Sequence, residues 1–220
     1  RRNLQQDTLD LVQLHCPPTA VYSNSEVYDA LDTLVSEGVI RNYGVSVERT
    51  DEALEAIKRG NTATVQIILN AFRLKPLDEV LPAAKEAGVG IIARVPLASG
   101  LLSGKYTTET EFPEDDHRNY NRTGAAFDVG ETFSGVDFAT GVKAAQEFSR
   151  LVPDGVTTAQ AALAWVIAQD GVSSVIPGAR SASQARANAE AGSVSLEGSL
   201  FDGVRDIYDR YFREAIHPRW

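Results

Sequence analysis

A chain of 220 residues, 43% hydrophobic and 23% charged, is long enough for one domain with a substantial core and has the composition of an ordinary soluble protein. Its formal net charge of −9, with no run of Lys or Arg, excludes a phosphate-neutralising face for DNA or RNA. No stretch reaches the roughly 18 to 20 apolar residues of a membrane span, and no charged n-region with an apolar h-region opens the chain.

A small anionic cofactor remains admissible in an acidic protein, because the N–H groups of a helix start and one or two Arg suffice locally. The single cysteine, Cys16, has no partner for an internal disulfide, which suits a reducing cytoplasm. The chain contains no Met and begins Arg1-Arg2-Asn3, so an upstream segment is expected to have been removed or left out.

In chain order, Leu9 to Leu14 (LDLVQL) reads as a short strand stopped by Pro17-Pro18. A helix follows from about Ser25 to Glu37, with Val27, Ala30, Leu31 and Leu34 on one face and Gly38 as its stop. The next strand, near Ile40 to Val47, feeds a helix from about Thr50 to Arg59. Thr64 to Ala71 (TVQIILNA) is a third strand, with Pro76 to Ala87 as its helix, and Gly90 to Val95 (GIIARV) is a fourth strand. Strand starts 24 to 31 residues apart are close to the roughly 30 residues per unit of an eight-unit barrel. A long polar connection then runs from about Leu97 to Val136. It is followed by helices at Phe138 to Leu151 and Thr158 to Gln169, a fifth strand at Val172 to Ile176, and helices at Ser183 to Ala191 and Ser199 to Arg213.

Regular β-α alternation implies a parallel sheet, either an open doubly wound one or five staves of a barrel. The GxGxxG of a Rossmann unit is absent after the first strand, which favours the barrel. A barrel lacking three strands exposes two sheet edges, so the chain is expected to need its missing strands.

Active sites of such barrels lie at the C-terminal ends of the strands, and here those ends are unusual: His15, Ser46, Asn70, the run PLASGLLSGK (96–105) and the run IPGARS (176–181). In this order and rhythm they resemble the aldo-keto reductases. LDLVQLH stands at the fourth barrel strand, RNYGVS at the fifth, VQIILN at the sixth, PLASGLLSGKY at the seventh and VIPGARSASQARAN at the eighth. The resemblance runs from about Arg2 to Ala191. It implies an incomplete TIM (β/α)8 barrel in one domain, whose first three strands are missing. It also implies hydride transfer between NADPH and an aldehyde or ketone, with alcohol oxidation as the reverse.

Residue by residue, the resemblance makes His15 catalytic, a donor beside the carbonyl oxygen where negative charge develops. It places Ser46 and Gln66 on the nicotinamide carboxamide, and Arg94 where many members stack an aromatic ring on the nicotinamide. Pro96, Leu97, Ser99, Gly100, Leu101 and Lys105 belong to the loop crossing the pyrophosphate. Ile176, Gly178, Ala179, Arg180 and Ser181 precede a helix start, with Arg180 and Ser181 on the adenosine 2′-phosphate and Gln184 and Asn188 facing the adenine. The family Asp, Tyr and Lys match no residue here, so the chain alone is expected to be inactive.

Three alternatives bear on these readings. The run Asp115-Asp116-His117-Arg118 has no standard metal spacing and is read as solvated. Cys16 is read as inert, turned away from His15. A non-catalytic NADPH-sensing subunit resembling the potassium-channel β subunits is the rival to an enzyme acting on a small carbonyl or alcohol substrate.

Overall fold

Runs rich in Val, Ile and Leu build five strands in the computed structural model, which describes residues 1–220. They are β1 (Leu9–His15), β2 (Ile40–Ser46), β3 (Thr62–Ile68), β4 (Gly90–Arg94) and β5 (Val172–Val175). All pair in parallel, in the order β1-β2-β3-β4-β5. A doubly wound sheet reverses its strand order at a switch point, whereas sequential order throughout is that of barrel staves. Helices α1 (Ser25–Ser36), α2 (Thr50–Ile57) and α3 (Val80–Ala87) occupy the first three connections. The connection from β4 to β5 carries the one-turn α4 (His117–Tyr120), then α5 (Phe138–Leu151) and α6 (Thr158–Ile167). After β5 come α7 (Ala182–Glu190), α8 (Gly198–Tyr211) and the short α9 (Arg213–Ile216).

Two elements depart from the sequence reading for identifiable reasons. The helix expected over Pro76 to Ala87 is broken: a 3-10 turn covers Lys75–Leu77, Glu79 leaves helical geometry at φ −131, and α3 starts afresh at Val80. Pro82 has no N–H to bond back to Asp78, so it is accommodated only in the first turn of a new helix. Strand β3 ends at Ile68 rather than Ala71, because Asn70 enters a tight turn bridged to Arg73.

Alternation along the strands sorts side chains between two faces. Val45, Val65, Ile67, Ile91 and Ala93 lie on one face, at most 1% exposed, and form the core beneath the helices. Phe72 joins this core stacked on Phe212 with ring centroids 4.5 Å apart. Each of the Val, Ile and Phe side chains among them contributes about 1.5–3 kcal/mol. The opposite face carries a polar row in which Gln66 Nε2 donates to Gln13 Oε1 at 2.8 Å and Gln13 Nε2 donates to Thr64 Oγ1 at 3.1 Å. The three inner strands are largely buried, whereas no residue of β1 or β5 is fully buried.

Candidate functional site

The C-terminal ends of β4 and β5 flank a cavity of about 630 Å³, within the roughly 300–1,000 Å³ usual for small-molecule sites. Its first wall is the turn after β4, including Pro96, Leu97, Ser99 and Gly100, and its second is Ile176, Pro177 and Gly178 after β5. The first wall is tightly bent: Val95, Ala98 and Ser99 all hold positive φ, at 52°, 48° and 56°, where only glycine is unstrained. Gly100, at φ +94, holds a conformation that side chains rarely adopt, and a Cβ there would lie 2.4 Å from the Tyr106 hydroxyl, so the Tyr106 ring would have to move.

The third wall comes from the long connection, through His117 and Tyr120 of α4, Phe127 and Glu131. The sequence reading missed Tyr120, Phe127 and Glu131, and set His117 aside within a run read as solvated. Tyr120, Phe127 and Ile176 are large, apolar and exposed, a recognisable signal only once the fold brings them to one opening. The run Asp115 to Arg118 is not simply solvated, which corrects the expectation. Asp116 caps α4 by accepting from Arg118 N at 2.9 Å, and Arg118 Nε donates to its Oδ1 at 2.8 Å. The Arg118 hydrogen bonds hold the Asp116 carboxyl well below the usual carboxylate range.

Of the residues expected at a cofactor, Pro96, Leu97, Ser99, Gly100, Ile176 and Gly178 thus converge on one cavity. Leu101 does not: it is fully buried in the core, packed against Gly141 of α5. Lys105 is exposed just beyond the turn. Ala179, Arg180 and Ser181 are exposed and lead into α7, where Ser181 is the N-cap and accepts from Gln184 N at 3.2 Å. Gln184 and Asn188 turn back onto their own loop: Gln184 Oε1 accepts from Arg180 N at 2.6 Å, and Asn188 Nδ2 donates to Gly178 O at 3.2 Å.

At the other end of the sheet, His15 is exposed and pairs in register with Ser46, which pairs in turn with Gln66. Ser46 is 1% exposed, with its Oγ 3.5 Å from Cys16 Sγ. Cys16 therefore faces Ser46 rather than pointing away from the site, and burial pushes its thiol up, which makes it a poor nucleophile. Arg94 is not open to stack on a ring. Its Nη1 is ion-paired with Glu131, its Nη2 donates to Val47 O at 3.1 Å, and the residue is 9% exposed. Across the same rim, burial and then the charges of Asp128 and Glu131 raise the Glu48 carboxyl. Burial lowers the Arg73 guanidinium to about 10.

This arrangement has relatives. The profile of the Aldo/keto reductase family matches residues 1–209. The chain is 31% identical over 188 residues to the uncharacterized oxidoreductase YqkF of Bacillus subtilis, covering 86% of this chain and 56% of the relative. It is 25% identical to the aldo-keto reductase yakc [NADP(+)] of Schizosaccharomyces pombe, covering 100% of this chain and 62% of the relative. It is 29% identical to a probable voltage-gated potassium channel subunit beta of Arabidopsis thaliana, covering 86% and 58%. Among solved structures, a glycerol dehydrogenase from Gluconobacter oxydans superposes with a TM-score of 0.78 at 29% identity, covering 100% of this chain and 64% of that one. The chain thus spans 56 to 64% of the length of these proteins. With the profile match, the parallel sheet and a cavity at its C-terminal edge, the chain belongs to the aldo/keto reductase family of oxidoreductases.

Proposed function

We propose that this chain is the cofactor-holding part of an NADPH-dependent oxidoreductase that reduces aldehydes or ketones, or oxidises alcohols in reverse. The observation that carries the reading is the convergence of the 96–100 turn and the 176–178 segment on one cavity. The residues fit such a group at its phosphate-bearing end. Arg180 is exposed and enters none of the chain's ion pairs, so its guanidinium is available for a 2′-phosphate. A Cβ built on Gly178 meets nothing within 4 Å, which leaves the second wall open to close approach.

When bound, NADPH supplies the hydride from C4 of its nicotinamide. The backbone of Leu97 to Gly100 would hold the pyrophosphate, and Ser46 and Gln66 would hold the carboxamide. His15 would donate a hydrogen bond to the carbonyl oxygen of the substrate and stabilise the negative charge developing there. The chain's own residues do not include a match for the family Asp, Tyr and Lys. In this reading β1 and β5, each paired on one side only, are joined by the further strands of a (β/α)8 barrel that carry them.

Cofactor consumption tests the reading. Protein from the natural source is expected to oxidise NADPH with a panel of neutral aldehydes, and the 220-residue chain alone to bind NADPH without consuming it. Tight NADPH binding by the natural protein with no turnover on any carbonyl would instead favour a nucleotide-sensing subunit.

A further inference from the structure

Arg73 stands just past β3 and is 2% exposed. Its Nη2 donates to Glu48 O at 2.7 Å, its Nη1 is buried without a partner, and its guanidinium lies 4.1 Å from the centre of the Trp220 ring. Trp220, 5% exposed, donates from Nε1 to Asp128 Oδ2 at 3.1 Å. The other oxygen of Asp128 accepts from Gly130 N at 2.7 Å. The backbone here is moulded around the indole. A Cβ on Gly130 would lie 2.4 Å from Arg73 Nη1 and 2.7 Å from Trp220 Cζ2, and a Cβ on Gly135 would lie 2.7 Å from Trp220 Cη2.

The moulded segment is also a wall of the cavity. Glu131 lines it, the Glu131 carbonyl accepts from Ser99 Oγ at 2.7 Å, and Phe133 N donates to the same Ser99 Oγ at 3.2 Å. An unbroken series of contacts therefore leads from Arg73 through Trp220 and Asp128 to Glu131 and Ser99. Phe133 and Ser134 sit within it at φ 51 and 56, a conformation that persists only where surrounding contacts impose it.

We propose that Arg73 and Trp220 are positioning residues: neither lines the cavity, and they set its shape by holding the Asp128–Gly135 segment against the turn after β4. The proposal rests on the reading that the cavity takes a dinucleotide.

Trp220→Phe keeps an aromatic ring over Arg73 and removes the bond to Asp128. In the ligand-free chain, amide exchange at Gly130 to Ser134 is expected to accelerate, while exchange in α5 stays unchanged. The NADPH dissociation constant is expected to rise about 5- to 10-fold, the loss of one hydrogen bond to a charged group felt at a distance. Unchanged exchange at Gly130 to Ser134 overturns the tether. Faster exchange with an unchanged dissociation constant overturns its link to the cavity. If the unaltered protein from its natural source binds no NADPH, the cofactor reading fails by itself, and the exchange experiment still decides the tether.

Discussion

Replacing Gly44 with alanine is expected to lower the thermal midpoint by roughly 6 to 12 °C, the equivalent of about 3 kcal/mol for a chain of this size. Between β2 and β3 the register shifts at Tyr43/Gly44, so that Tyr43 pairs with Thr62 and Gly44 with Thr64. At this bulge the two backbones approach closely. A Cβ on Gly44 would stand 2.2 Å from Thr64 Oγ1 and 2.5 Å from the Thr64 carbonyl oxygen. The hydroxyl can rotate away, and the carbonyl cannot without breaking the sheet. Thr64→Ala in the same chain therefore recovers only part of the loss. Thermal unfolding of the single and double variants checks this, and a midpoint within about 2 °C of the parent for Gly44→Ala would show that the strands relax freely.

Asn70→Ala carries the second large effect, about 2–5 kcal/mol, because two main-chain groups lose their partner together. Asn70 is fully buried; its Nδ2 donates to Val95 O at 3.0 Å, and its Oδ1 accepts from Phe72 N at 2.8 Å. The same side chain thus ends β3 and fixes the left-handed Val95 that opens the cavity wall. Asn70→Asp restores the acceptor for Phe72 N and places a carboxylate against the Val95 carbonyl, so it recovers less than half. Urea unfolding gives the comparison, and a cost below about 1 kcal/mol for Asn70→Ala would mean that the turn stands without it.

The five strands were legible because each is a short aliphatic run bounded by Gly, Pro or polar residues. The ends of those strands carried enough family-like residues to place both walls of the cavity. The long connection was not legible. Its shape depends on Ala98, Ser99, Phe133 and Ser134 adopting backbone conformations that their residue types disfavour, imposed by contacts with distant segments. The partner of Arg94 lies 37 residues further on, in a stretch without periodicity, so nothing local marked Glu131. Leu101 misled in the opposite sense: it belongs to a motif associated with a cofactor, yet the start of the helical turn directs it into the core. Pro82 was visible all along, and its missing N–H explains the broken helix.

Dissociation constants for NADPH and NADH, measured on the chain and on Arg180→Ala, decide whether the cavity beyond the C-terminal ends of β4 and β5, with the exposed Arg180 just past its second wall, takes NADPH. The chain is expected to bind NADPH about 10- to 100-fold more tightly than NADH, as for one or two charge-assisted hydrogen bonds to the additional phosphate. Arg180→Ala should remove that preference while leaving NADH binding unchanged. Equal affinity for the two nucleotides, or an Arg180→Ala variant that keeps its NADPH affinity, would contradict that reading.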